Sequence, residues 1–241
     1  MQTYYMARLS PLVQQLAKHV EDKSGISIDV CLDPKLNERG PLGQGMLSVD
    51  IESSRVTINT PTNEYFPDEA VFHELLHVRR FHVDGLPRLT LAEDEARNPS
   101  FQSGLTTLDN NIEHLSIVPI ELRAYPARLD HWEANVHRMW NKDIPSIDCP
   151  MNRRIEAFIN WAFIRHVLPS SPTRQVAISF MESHGLMDEA EDFSQFVIDH
   201  LDNKLAVIKM FFDTFPELPR DSAGVEYLNL YTGSTVHPIP A

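Results

Sequence analysis

The sequence predicts an α+β protein, with a small N-terminal sheet and its helices over residues 1–142 and an all-helical region over 143–241 packed on them. Three observations predict this. Met46–Ile51 and Arg55–Thr60 read as two strands and lie three residues apart, as a paired set would. A strongly apolar helical run follows at about Asp68–Phe81. From Ile155 to Pro216 apolar and aromatic residues recur at helical spacing. A chain of 241 residues with 42% hydrophobic content can enclose a proper core.

Taken in order, Leu9, Leu12, Val13, Leu16 and Val20 fall three and four apart and predict a helix over residues 6–22, ended by Lys23-Ser24-Gly25. Ile26–Cys31 alternates and reads as a half-buried strand. Pro34–Gly45 is a polar loop in which Gly40, Gly43 and Gly45 make a G-x-x-G-x-G run. That run opens no helix, so it reads as a turn and not as a phosphate cradle. Glu52-Ser53-Ser54 joins the two paired strands, Pro61 and Pro67 bracket a loop, and the next helix begins at Pro67 or Asp68. Residues 83–106 look loop-like, and a second helix spans about Thr107–Pro119, where proline should end or kink it. Leu122–Trp140 is helical from about Asp130, and Asp143–Asp148 is a turn taken as the domain boundary. Beyond it, Ile155, Phe158, Ile159, Ala162, Phe163 and Val167 form one stripe, Val176–Met181 continue it to a stop at Gly185, and Phe193–Phe212 lead to Pro216. Core packing is the expected role of these aromatics. Residues 217–241 look irregular and carry no motif.

The net charge of −13 argues against nucleic acid or an anionic membrane as the partner. Two cysteines, Cys31 and Cys149, form no C-x-x-C pair, which points to a reducing compartment and not to a disulfide framework. The first residues lack a basic region followed by an apolar one, and no stretch approaches ~18 uninterrupted apolar residues. A cytoplasmic protein is expected.

The chemistry sits in Phe72-His73-Glu74-Leu75-Leu76-His77-Val78, an H-E-x-x-H motif inside the apolar helix. Residues four apart share a helix face, so His73 and His77 can direct two imidazoles at one ion. Glu74, one step round, can take a proton from water held by that ion. Val71, Phe72, Leu75, Leu76, Val78 and Phe81 leave little of the helix polar. Burying two imidazoles and a carboxylate there without partners would be costly, so the context favours a metal, with Zn2+ the ion such ligands suit.

In this motif, and in the strands before it, the chain resembles the zincin metallopeptidases over roughly residues 1–140. The gluzincin branch takes its third zinc ligand from a glutamate on a downstream helix. By that resemblance Glu113, in Asn110-Asn111-Ile112-Glu113-His114, is the ligand. His114 competes for the place, and adjacent helical residues point about 100° apart, so only one of the two is expected to serve. The resemblance further implies a peptide substrate lying extended along Arg55–Thr60 as an edge strand. Where gluzincins place an Asp after the ligand Glu, this chain has Ser116 and Ile117. Asp109 and Glu121 are candidates to orient the imidazoles, although a solvated helix charge is the expected role of each. Tyr125, His131 and His137 are candidates to stabilise the oxyanion, Tyr125 foremost. The implied activity is zinc-dependent amide hydrolysis, with Glu74 passing its proton to the leaving nitrogen.

Two other readings compete. A deformylase-like amide hydrolase would use Cys31, 42 residues before His73, as third ligand, although Asp29-Val30-Cys31-Leu32 lacks the Glu-Gly-Cys context of that family. A catalytically silent, zincin-derived binding module would keep the metal for stability, and an intact Glu74 argues against it.

Overall fold

Thr3–Met6 forms one helical turn, α1, and Pro11–Ser24 forms α2, whose buried side carries Val13, Ala17 and Val20. A helix continuing from residue 6 would need an N–H at Pro11, which has none, so the helix expected over 6–22 restarts at Ser10. Ser10 caps α2 by accepting from the Val13 amide, and its own amide and hydroxyl donate to the Asp68 carboxylate at 2.7 and 2.6 Å. α2 stops at Gly25, where a left-handed backbone (φ 73°) lets the glycine N–H reach the Glu21 carbonyl. The computed structural model describes residues 1–38, 46–92 and 99–240. The G-x-x-G-x-G run lies outside the described residues.

β1 (Ser27–Leu32), β2 (Ser48–Ile51) and β3 (Arg55–Thr60) make a sheet in the order β1-β3-β2. β3 runs parallel to β1, with Ser27 opposite Arg55, and antiparallel to β2, with Ser48 opposite Asn59. Ile28, Val30, Val56 and Ile58 alternate onto the buried face. The expectation that Arg55–Thr60 is an edge strand fails here. A parallel partner, β1, occupies the side that a local hairpin alone would leave open, so β3 is central and the outer strands are β1 and β2.

The motif helix α3 spans Asp68–His82 and packs against α2, β2 and β3. Asp68 and Glu69 lie in its first turn, and Arg79 and Arg80 in its last, each charge complementing the helix dipole. The region after it is not all loop: β4 spans Arg88–Leu91, and α4 runs from Pro99 to Ala124, eight residues earlier than expected. Pro119 lies inside α4 and does not end it. A single proline forfeits the one bond to the carbonyl four residues back, while buried Leu115, Ile117 and Val118 keep the neighbouring turns packed.

α5 (Leu129–Arg138) leads through a π turn, Met139–Asp143, to α6 (Pro150–Val167), α7 (Arg174–Ser183), α8 (Met187–Asp199) and α9 (Lys204–Thr214). α6 is apolar round much of its circumference, burying Phe158, Ile159, Trp161 and Phe163, and packs against α4, α7 and α8. Phe158, Phe193, Phe211 and Phe215 meet ring to ring, with Phe211 and Phe215 centroids 4.8 Å apart, so the aromatic stripe is core. Residues 217–241 are not irregular. They hold β5 (Ala223–Asn229) and β6 (Gly233–Pro238), in a second sheet of order β4-β5-β6, so the C-terminal region is not all helical.

The chain forms two compact units, Met1–Arg88 with Glu226–Val236, and Leu89–Val225 with His237–Ala241. Among the described residues no helix is long and apolar enough to cross a membrane. Cys31 is half-buried, Cys149 is exposed, and both are free.

Candidate metal centre

On α3 the four-residue spacing works as the helix period requires. His73 and His77 lie on one face with ring centroids 5.0 Å apart and planes at 76°. His77 is buried and His73 half-buried, while Glu74 is half-buried one step round the cylinder. The two hydrogen bonds from Ser10 to Asp68 pin the first turn of this helix, about one turn and a half before His73. His73, His77 and His114 each offer one ring nitrogen, and these atoms all lie within 4.8 Å of one another. Three imidazoles are a donor set that suits zinc, copper, iron or nickel.

Neither Glu113 nor Cys31 belongs to a metal-capable group among the described residues. Glu113 points elsewhere for a physical reason. It shares a face of α4 with Asp109, four residues earlier, and both carboxylates pair with Lys204 at the start of α9, at 2.9 and 2.7 Å. The Lys204 and Glu113 side chains are fully buried and Asp109 nearly so. Asp109 also accepts from the Leu89 amide at 2.9 Å. Burial pushes the Asp109 carboxyl up from its ordinary range, with the Lys204 ammonium pulling against it. A cation at a helix N-terminus opposes the dipole, so Lys204 is a poor choice locally and is held by the two carboxylates. His114, about 100° round from Glu113, faces away from this cluster.

The His114 and Trp132 rings meet in a T-shaped contact with centroids 5.1 Å apart. Trp132 Nε1 donates to Glu121 Oε2 at 3.1 Å, and Arg128 Nε donates to Glu121 Oε1 at 2.7 Å. Glu121 thus locks the indole against which the His114 ring rests. Asp109 and Glu121 are both buried, and the solvated-charge expectation does not hold for either. Tyr125 is half-buried just past the end of α4. His131 pairs with Asn135 at 3.1 Å, and His137 is exposed beside Asn141.

Sequence reasoning missed Lys204, Arg128 and Trp132. One signal was present: two carboxylates four apart on a largely apolar helix need a buried cation. Nothing local says that the cation lies 91 residues beyond Glu113. No protein-family model, curated protein or solved structure matches the chain.

Proposed function

We propose that the chain is a zinc-dependent amide hydrolase acting on peptides, with His73, His77 and His114 as the metal ligands and Glu74 as the general base. The observation that carries this reading is the closeness of three ring nitrogens, with the motif glutamate on the helix that supplies two of them. His114 replaces Glu113 as the proposed third ligand because the Glu113 carboxylate is committed to Lys204. Zinc, when bound, would lower the pKa of a coordinated water towards about 7. Glu74 accepts a proton at its carboxylate and returns it to the leaving nitrogen. Trp132 limits the swing of the His114 ring, a positioning role set by Glu121. An extended substrate would add to the outer side of β2, which has no strand partner among the described residues, and not to the central β3.

The test is metal content and peptide hydrolysis measured on the same set of variants. His73→Ala, His77→Ala and His114→Ala should each weaken zinc affinity by at least about tenfold, and Glu113→Gln should leave it nearly unchanged. Glu74→Gln should keep the metal and lose roughly 10²–10⁴ in hydrolysis of a fluorogenic peptide mixture. A parent protein that binds no transition metal, or a His114→Ala variant that binds zinc as tightly as the parent, would overturn the assignment.

A further inference from the structure

The unit built on α4, α6 and α9 contains a second feature with chemistry of its own. A cavity of about 600 Å³ lies between the N-terminal half of α4, the first turns of α6 and the end of α9. That volume is in the range of small-molecule sites. Its floor is apolar and buried, with Leu105, Ile159 and Phe211, and its mouth is exposed at Ser103, Gly104 and Thr107.

One carboxylate, Glu156, lines this cavity, along with the neutral polar side chains of Asn111 and Asn152. Glu156 Oε2 accepts from Asn160 at 3.2 Å, and no cation pairs with it among the described residues. The arginines nearest along α6 are committed elsewhere: Arg153 donates twice to the Ile147 carbonyl, and Arg154 pairs with Glu189. Burial pushes the Glu156 carboxyl up from its ordinary range, as expected of a charge without a counter-ion.

Gly104 gives an independent indication. Glycine inside a helix costs about 1 kcal/mol relative to alanine. Here its backbone is ordinary, and a Cβ at this position would meet nothing within 4 Å. Neither backbone conformation nor a packed neighbour requires the missing side chain. Gly104 lines the cavity, and the space in front of it is open.

We propose that this cavity binds a small amphipathic amine, its apolar chain or ring on the Leu105–Ile159–Phe211 floor and its ammonium on Glu156. The ligand's charge supplies the counter-ion that the fold withholds, and its apolar body replaces water on a surface that water solvates poorly. The site stands apart from the metal proposal and needs no metal.

The experiment is calorimetric titration of the full chain with 4-phenylbutylamine, 4-phenylbutanol and 4-phenylbutanoate, with and without EDTA. The amine should bind about ten- to a hundredfold more tightly than the alcohol, as a charge-assisted contact predicts, and the carboxylate should be the weakest. Glu156→Gln should remove the preference for the amine and leave the alcohol's affinity unchanged. Gly104→Phe should weaken amine and alcohol alike by at least tenfold, with the far-UV circular dichroism of the parent. Glu156→Gln is nearly isosteric, so it keeps the test decisive if Gly104→Phe folds poorly. Equal affinity for the three probes, an amine preference that survives Glu156→Gln, or binding abolished by EDTA would each overturn the proposal.

Discussion

Replacing Lys204 with methionine asks the most of the structure. The substitution keeps the length and apolar stem of the side chain and removes the one charge, so packing changes little. What it leaves is Asp109 and Glu113, buried on one face of α4 with their shared ammonium gone. Removing one partner of a buried ion cluster costs about 3–5 kcal/mol, because the remaining charge keeps its desolvation penalty and loses its compensation. At about 2–4 °C per kcal/mol for a chain of this size, the midpoint of thermal unfolding should fall by roughly 6–20 °C. The pH dependence has a definite sign. Asp109 already has a raised pKa in the folded parent, and without Lys204 it rises further. A carboxyl whose folded pKa exceeds its unfolded value of about 3.9 binds more protons when folded. Its penalty is therefore absent below the unfolded pKa and grows as pH rises through the folded one. Urea unfolding followed by circular dichroism should show a smaller gap between Lys204→Met and the parent at pH 4.5 than at pH 7.5. Adding Asp109→Asn and Glu113→Gln to Lys204→Met should recover most of the loss, since three neutral groups of similar shape carry no stranded charge. A loss below about 1 kcal/mol with no pH dependence would refute the reasoning, since it would mean that water reaches the cluster.

Two further outcomes follow from particular positions. Gly25→Ala places a Cβ at 2.9 Å from Leu230 Cδ2 on a backbone with φ 73°, and should cost about 1–3 kcal/mol in urea unfolding. Gly185→Ala, at φ 65° with nothing within 4 Å, carries the backbone penalty alone, so it should cost less, and a reversed order would sink the Leu230 argument. His82 has its pKa lowered, chiefly by burial and less by Arg88, against a hydrogen bond to the Glu52 backbone. A histidine depressed in the folded state holds fewer protons than in the unfolded chain, so its contribution to stability is lost as pH falls from about 6.5 through its folded pKa. An NMR titration of its ring should therefore have a midpoint below 6.5, and one at or above that value would contradict the burial.

Local pattern carried the parts of the structure that local pattern can carry. The motif helix, the β2–β3 pair and the helices after Pro150 were legible because each rests on spacing within about 20 residues. The second sheet was not, because β4 and β5 lie more than 130 residues apart and β4 is four residues long. The same blindness misplaced β3: a hairpin is visible in sequence, but a parallel neighbour inserted from upstream is not. The choice between Glu113 and His114 stayed open in the sequence for a related reason. Residue type and helix placement suited both, and a lysine on another helix takes Glu113. Burial of Asp109 and Glu121 was equally out of reach, since their donors come from Lys204, Leu89, Arg128 and Trp132.

The first unit is discontinuous: residues 226–236 belong with residues 1–88, and all of the second unit but its last five residues is written between them. Arg88 and Glu226, 138 positions apart, are joined as an ion pair within that first unit. During synthesis the motif helix and its sheet emerge early, yet the segment that completes their unit arrives only after some 137 intervening residues have been made. Closing so long a loop carries an entropic cost that is lower once the insert has collapsed and drawn its own ends together. The order of assembly that this favours is inside out, with the helical insert consolidating first and the motif helix reaching its final stability last. A nascent chain truncated before residue 226 should then show a protected helical insert attached to an N-terminal segment still open to protease.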